Sequence, residues 1–572
     1  MNIILEEEEV NAKIKDSDDV KEPKIEDNPI KSSPISRPKR EIKKPARFLD
    51  FETYCVFDTM SFVNEVPINY GNVQGRNDEK EWYQAIEREL DSIKKAETWV
   101  EVPKPKNSEI IDTKWVFSVK PLAKEKYKPR LVARGFFQKT SFDYSDIYTP
   151  VAKMSTIRTL LAVGNQNGYF FRQLDVKTAF LNGVLKEDVY IFPPEGVHCE
   201  GGNVLKLKKA LYGLKQSAKC WNNELNSFLI DQGFERSDND YCLYYLKTKR
   251  TIVYLLVFVD DLIIASSDKE LIEKYIKSLI LRFDIKDFGE LKDFLGLQIQ
   301  HNQLERVIEI SQEMYIDKIL KKFKFEECNP CASPSSVGLK LEHCEKDTGV
   351  GKRIRELIGC LMYLMLGTRP DISFTINYLS RFQENSPIEV WSCLKRVLRY
   401  LKDTKHFKLS YSVLKERKIL ECFVDSDWGG DLKERRSVSG FLIKVYGNVV
   451  SWVTRKQGCV ALSSTEAEIV ALSHALQDAI WFRKLLSDDF LLDIDGINMY
   501  EDNKGCIAVL GTPENNKRVK HMELKLNYII ENIRANKVKI IYVSSKDQQA
   551  EILTKCLPVG HFHFLVGLLG LK

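Results

Sequence analysis

An α+β fold divided among several domains is predicted by three features of the sequence. At 572 residues the chain is too long for one hydrophobic core, and its length implies roughly three or four domains. From about residue 80, short apolar β-like runs alternate with helix-length amphipathic patterns. From residue 418 a second series restarts in the order βββαβαβα, which fits a mixed sheet flanked by helices.

Composition bounds the class. Apolar residues make up 44% and charged residues 29%, the balance of a soluble globular protein. A net charge of +5 is too small at this length to mark a nucleic-acid binder by itself. No membrane association is expected, because Asp260 and Asp261 interrupt the longest apolar run. The N-terminus, MNIILEEEEV, is acidic and lacks a signal-peptide pattern, so a cytosolic or nuclear protein is expected. The 13 cysteines lie scattered in apolar contexts, as reduced buried thiols do. Cys328-Asn-Pro-Cys331 followed by His343-Cys344 has awkward spacing for zinc and reads as a loop.

Each element follows in chain order. Residues 1–75 are polar, proline-bearing and aperiodic, and read as a disordered linker or tail. Within them SRPKREIKKPAR, at 36–47, reads as a solvated linker or as a segment for nucleic-acid contact or nuclear import. EWYQAIERELDSIKKAETW sets Trp82, Ile86, Leu90 and Ile93 at helical spacing. DTKWVFSVK and KPRLVARGFF read as strands, and RQLDVKTAFLNGVL as a strand, a turn and a helix. IVYLLVFVDDLIIAS reads as a hairpin and SDKELIEKYIKSLILRF as an amphipathic helix. A looser stretch at 327–352 precedes two helical segments, the first interrupted at Pro370. In the second series ILECFVDSDW, SGFLIKVYG and VVSWVTRKQ are strands, and a long helix starts near Ser464 and Thr465. INMYEDN, a further helix, VKIIYVS and a closing helix complete it.

Two adjacent carboxylates inside LLVFVDDLII need a reason. Ionised acids without partners are costly to remove from water, so a cation is the natural neutraliser of Asp260 and Asp261. Mg²⁺ prefers such oxygen ligands, and two-metal phosphoryl transfer needs carboxylates converging from different strands. Asp175, between Leu174 and Val176 at a strand end, fits as the third acid.

LDVKTAFLNG, LYGLKQS and FVDDLII, in that order, resemble the polymerase motifs of copia-type (Pseudoviridae) LTR retrotransposon reverse transcriptases. The resemblance runs from Trp99 through CNPCASP and takes in KPRLVARGFFQ, DYSDIYTPVAKMSTIR, VYIFPPEG and LKDFLGLQI. It implies a right-hand polymerase, with fingers and palm over 76–335 and a helical thumb/connection over 336–415. Asp175, Asp260 and Asp261 match the metal-binding triad, with two Mg²⁺ ions expected per active site. The implied reaction is attack of a primer 3′-hydroxyl on the α-phosphate of a dNTP, copying an RNA template. Phe180 matches the aromatic that crowds a ribose 2′-hydroxyl, or is core. Gln216 matches the residue packing near the incoming nucleotide, or is a loop amide. Lys128 and Arg130 lie on the fingers-like strand where cations meet the triphosphate.

FVDSDWGG, LSSTEAEIVALSHAL and MYEDNKG resemble the ribonuclease H domain of the same Pol polyproteins, over 416–572 as an RNase H-like mixed α/β domain. Asp425, Glu468 and Asp502 match its metal ligands, and cleavage of RNA in an RNA–DNA hybrid is implied. Glu551, in AEILTKCL, stands where the family has Asp, and Cys556 where it has Pro; Phe258 replaces a common Tyr. Asp427 and Asp431 read as solvated loop acids, and His521 as a surface or packing residue. Asp347-Thr348-Gly349 follows polar residues and does not fit an aspartic protease. The expectation is an RNA-directed DNA polymerase with RNase H, its partners an RNA template, a nucleic-acid primer, the hybrid and dNTPs. Its expected setting is the cytoplasm, in virus-like particles, or the nucleus. The chain reads as the C-terminal portion of a Pol polyprotein. The rival readings are a non-catalytic nucleic-acid-binding relic and a nuclease alone.

Overall fold

The computed structural model describes residues 66–106, 108–119, 126–138, 147–342, 351–383, 387–413, 418–431, 433–511 and 522–572. The basic stretch 36–47, the His343-Cys344 pair, residues 347–349 and His521 lie outside them.

The apolar stripe headed by Trp82 folds as α1, Glu79–Lys95, burying Trp82, Ile86, Leu90 and Ile93 on one side. Acids in its first turn and lysines in its last complement the helix dipole. Trp82 meets Phe117 and Tyr127 edge-on at 5.2 and 4.8 Å, so α1 seats on the antiparallel hairpin Thr113–Val119/Tyr127–Ala133. A four-stranded sheet, ordered Trp99–Val102, Val204–Lys209, Val184–Ile191, Ile110–Ile111, completes this region.

A six-stranded antiparallel sheet follows. The helix α2, Met154–Gln166, leads into β1, Phe170–Val176. After α3, Ser217–Asp231, come β2, Ile252–Phe258, and β3, Asp261–Ser266. The strand order is Ile285–Glu290, β1, β3, β2, Leu243–Lys247, Glu235–Arg236. Val253, Leu255 and Val257 pack with residues of α3 and of the helix Lys269–Arg282 on one face. Tyr254, Leu256, Ile263 and Ala265 are buried on the other. Burial of both faces is why the hairpin sequence is apolar at nearly every position.

One expectation fails here. After β1 the chain forms a 3₁₀ turn, Ala179–Asn182, not a helix, and enters the strand Val184–Ile191 directly. A Cβ on Gly183 would lie 2.7 Å from the Trp221 backbone nitrogen. The turn is thus pressed too closely on α3 for a further helical turn to fit.

The helices Gly351–Gly367 and Ser373–Ser380 flank the expected break at Pro370. The break is structural: Arg369, fully buried, pairs with Asp371 at 2.7 Å and donates to Thr404 O at 3.0 Å. Tyr400, on the helix Ile388–Asp403, donates to Asp371 at 2.6 Å.

The C-terminal sheet contains β4, Leu420–Asp427, β5, Val438–Val445, and β6, Asn448–Lys456. It continues after α4, Ser464–Lys484, with β7, Ile497–Glu501, and, beyond α5, Lys504–Gly511, with β8, Val538–Tyr542. The order is β6-β5-β4-β7-β8, antiparallel up to β4 and parallel beyond it. Ser463, one residue before the expected start, caps α4 by accepting from Glu466 N. The expected single helix between β7 and β8 is two, α5 and Glu523–Arg534. The chain closes with α6, Val559–Leu568.

All described residues fall in one compact unit, Asp58–Lys572. Arg158 of α2 joins its parts, donating to Val450 O at 2.8 Å and to Leu366 O and Gly367 O at 2.9 and 2.8 Å. Among the described residues no helix is long and apolar enough to cross a membrane.

Candidate active sites

β1 and β3 pair so that Asp175 and Asp261 are register partners. Val176 N donates to Asp260 O at 2.8 Å, which ties the hairpin tip to the end of β1. Phe258 pairs with Asp261, leaving Val259 and Asp260 as a two-residue turn. Val259 has φ +57, a conformation where glycine is usual and a β-branched residue is strained. The Trp221 indole of α3 donates to Val259 O at 2.6 Å and holds that turn.

Burial raises the Asp260 carboxyl above its ordinary range, and the Asp175 charge adds to this. Lys128 and Arg130 pull it down, so both cations of the Thr113–Val119/Tyr127–Ala133 hairpin face this acid. A half-buried carboxylate beside another, with cations opposite, is a donor set that suits a divalent ion.

The expected nucleotide-contacting residues are differently engaged. Arg130 pairs with Glu89 at 3.0 Å and lies 5.4 Å above the Tyr212 ring. Tyr212 in turn packs on Phe180, ring centroids 4.6 Å apart. Phe180 is half-buried against the sheet core, so it serves packing at least in part. Gln216 is 2% exposed and accepts from Gln138 Nε2 at 3.1 Å. Lys215 N donates to Gln138 Oε1 and Lys215 Nζ to Gln138 O, both at 2.9 Å. Gln216 therefore sits inside a seam between the segment that follows the Thr113–Val119/Tyr127–Ala133 hairpin and the loop before α3.

Glycines close that seam. Ala133 N donates to Tyr212 O at 2.7 Å. A Cβ on Gly213, at φ +92, would lie 2.1 Å from Ala133 O, and one on Gly135 would lie 2.1 Å from Gly213 O. Trp221, Tyr212, Gly135 and Gly213 were not singled out from the sequence. The only available signal was a glycine in each of ARGFF and LYGLK.

In the C-terminal sheet, parallel pairing of Phe423 with Tyr500 brings Asp425 level with Asp502 two residues on. Glu468 enters from α4. Ligand oxygens of Asp425, Glu468 and Asp502 lie within 4.8 Å of one another. No other trio among the described residues gathers so closely, and Asp175, Asp260 and Asp261 are more open. Burial pushes the Asp425 carboxyl up to about 6 against the pull of Lys555, and pushes Glu468 well above its ordinary range. Two buried carboxylates so destabilised when ionised, with the Asp502 carboxylate gathered beside them, fit a divalent cation.

The fourth acid stands apart. Glu551 is outside the tight trio, bonded to His561 Nε2 of α6 at 2.6 Å and to Lys555 Nζ at 3.0 Å. Its carboxylate is thus engaged at both oxygens, by His561 and by Lys555. Lys555 also lies 3.8 Å from Asp425, whose Oδ2 accepts from the Thr554 hydroxyl. Glu501, next to Asp502, is fully buried beside this cluster and was overlooked in the sequence. Two loop assignments are corrected. Asp431 pairs with Lys456 at 2.8 Å and Arg381 at 3.5 Å, and Asp427 is half-buried against Gly430.

A family model described as "Reverse transcriptase (RNA-dependent DNA polymerase)" matches residues 96–337. The "Retrovirus-related Pol polyprotein from transposon TNT 1-94" of Nicotiana tabacum is 33% identical over 551 residues, covering 94% of this chain and 41% of that protein. The "Putative transposon Ty5-1 protein YCL074W" of Saccharomyces cerevisiae is 31% identical over 314 residues, covering 53% of this chain and 100% of that protein. The chain belongs to the copia-type reverse transcriptase family.

As a member of that family it spans about two fifths of the tobacco polyprotein. The "Retrovirus-related Pol polyprotein from transposon RE2" of Arabidopsis thaliana is likewise 33% identical, and the chain covers 33% of it. The solved foamy viral protease-reverse transcriptase in complex with RNA/DNA hybrid overlays on 81% of this chain and 53% of its own, at 12% identity and TM-score 0.45, too loosely to support an inference. Within the copia-type family's pattern, Asp175, Asp260 and Asp261 converge on one sheet end, and Asp425, Glu468 and Asp502 on another.

Proposed function

We propose that the chain is an RNA-directed DNA polymerase with a C-terminal ribonuclease H, copying an RNA template from a nucleic-acid primer with dNTPs. The observation that carries this is the pairing of Asp175 with Asp261 beside the Asp260 turn. Fingers and palm occupy 76–335, a helical thumb/connection 336–415 and the ribonuclease 416–572.

In this reading Asp175, Asp260 and Asp261 would hold Mg²⁺, as would Asp425, Glu468 and Asp502, and the ions when bound would acidify the attacking hydroxyl or water and take up charge on the leaving oxygen. The chain's own groups do the rest. Lys128, facing Asp260, is set to meet the triphosphate. Arg130 anchors the fingers hairpin through Glu89 and orients Tyr212. Tyr212 backs Phe180, which restricts room at a ribose 2′ position. Gln216, through Gln138, fixes the fingers hairpin against the loop before α3.

The test is primer extension on an RNA template in Mg²⁺, comparing the native chain with Asp260→Asn, alongside hybrid cleavage compared with Asp425→Asn. Each activity should vanish with its own aspartate and survive loss of the other. Extension by Asp260→Asn at the native rate defeats the reading.

A further inference from the structure

The strand β4 runs from the carboxylate trio into an exposed indole. Trp428 stands three residues after Asp425, its ring open to solvent and its Nε1 donating to Ala461 O at 3.0 Å. Val460 and Leu462, on either side of Ala461, are exposed as well. Both segments are held in place. Leu462 N donates to Glu466 Oε2 at 2.8 Å, tying residues 460–462 to the first turn of α4, the helix that supplies Glu468. Gly429 N donates to the buried Ser437 hydroxyl at 3.1 Å.

A cation lies beside the indole. A Cβ on Gly429 would sit 3.4 Å from Arg435 Nη2, so the guanidinium rests against the backbone next to Trp428. Both residues take left-handed backbone, Gly429 at φ +65 and Arg435 at φ +52, and for an arginine that conformation is costly. The acids of this loop are engaged elsewhere, Asp431 by Lys456 and Arg381, and Glu434 by Arg436 and Lys456. Among the described residues no acid forms an ion pair with the exposed Arg435.

Exposed apolar side chains scattered singly need no explanation, but these are adjacent, hydrogen-bonded into place and flanked by a cation. The indole has committed its only polar group to Ala461, so it offers a partner its ring alone. A ring beside a guanidinium suits the sugar or base faces and the phosphates of a nucleic acid. Three residues of extended chain span at most about 11 Å, and phosphates recur at about 3.4 Å along a strand. A nucleic acid held at the trio therefore reaches this surface within about three nucleotides.

We propose that Trp428, Val460, Leu462 and Arg435 form a platform that grips the backbone of an RNA–DNA hybrid beside the phosphate cut at Asp425, Glu468 and Asp502. The inference rests on reading that trio as the ribonuclease H centre, and it adds the residues that set where the hybrid lies on it.

Steady-state cleavage of an RNA–DNA hybrid by the full chain tests this, with KM and kcat read separately. Trp428→Ala should raise KM by about tenfold, the scale of one lost aromatic platform, with the loss in KM and not in kcat. Arg435→Gln should lower the slope of log KM against log salt by roughly 0.9, the share of one phosphate contact. Leu462→Glu leaves the hydrogen bonds of both segments in place but sets a negative charge on the surface. It should raise KM severalfold more than Leu462→Lys, and it carries the test if Trp428→Ala does not fold. Native KM in Trp428→Ala and Leu462→Glu, with cleavage abolished by Asp425→Asn, overturns the platform and leaves the ribonuclease reading intact. A fall in kcat alone in Trp428→Ala means that the indole only props α4, and overturns it too. If Leu462→Glu instead dissociates a dimer in sedimentation at native KM, the occupant is a second copy and the proposal fails. Cleavage that survives Asp425→Asn overturns both readings.

Discussion

Asp175 and Asp261 are register partners on adjacent antiparallel strands, and the backbone of Asp260 accepts a hydrogen bond from Val176 beside them. The relation is set by main-chain pairing, so replacing a carboxylate by its amide should leave the sheet intact. Asp175→Asn should therefore keep a native circular dichroism spectrum yet lose primer extension by at least about a hundredfold, as when a positioned charge-stabilising group is removed. Extension at an undiminished rate would show that the pairing is architectural only.

Trp221 should control the shape of the same turn. Its indole is the donor to Val259 O, and Val259 holds a strained φ of +57. Trp221→Phe keeps an aromatic ring to pack against Phe283 but leaves that carbonyl without its donor. We expect a loss of about 1–3 kcal/mol in urea unfolding, the cost of an orphaned buried polar group. Extension should fall as the Asp260 turn relaxes; if stability drops and extension does not, the turn tolerates movement.

How far the sequence revealed these sites depended on the range of the interactions. Asp260 and Asp261 were legible because charge inside an apolar run is anomalous on its face, and Asp175 because it ends a strand. Glu468 was legible through the motif LSSTEAEIVALSHAL in which it sits. Trp221 was not, because its partner lies 38 residues away and nothing local marks an indole as a donor to a turn. Glu501 was missed because alternation along a short strand does not reveal that one of two adjacent acids lacks solvent. The helix expected after β1 failed because the close approach of Gly183 to α3 is a tertiary constraint that overrides local propensity.

Stability should depend on pH through the C-terminal acids. The Asp425 carboxyl is raised from an ordinary 3.8 to about 6, mainly by burial. An acid with a raised folded-state pKa makes the folded chain bind more protons than the unfolded chain between those values. Stability of the metal-free protein is therefore greatest below about pH 4 as far as this group is concerned, and is lost as pH rises through about 6. The shift of roughly two units corresponds to up to about 3 kcal/mol. Glu468 acts in the same direction. Stabilisation by Mg²⁺, which needs ionised ligands, should grow over the same window. Melting temperatures at several pH values, with EDTA or Mg²⁺, check this, and Asp425→Asn should flatten both trends.

Arg158 should decide whether the six-stranded sheet region and the C-terminal sheet region unfold together. It is 5% exposed, its guanidinium lies 4.0 Å over the Trp452 ring, and it donates to Val450 O, Leu366 O and Gly367 O. Three segments far apart in sequence, α2, the end of the helix Gly351–Gly367, and β6, thus depend on one side chain. Trp452 Nε1 donates to Met365 O at 2.9 Å and survives the change as a weaker link between two of them. Arg158→Met keeps much of the aliphatic volume but leaves three carbonyls unpaired, so a loss of about 3–5 kcal/mol is expected. Because those contacts bridge regions with separate sheets, calorimetry should resolve the native single transition into two in the variant. A single transition merely lowered in temperature would mean that the remaining interface, including Trp481 Nε1 to Asn239 O at 3.0 Å, suffices to keep the two regions cooperative.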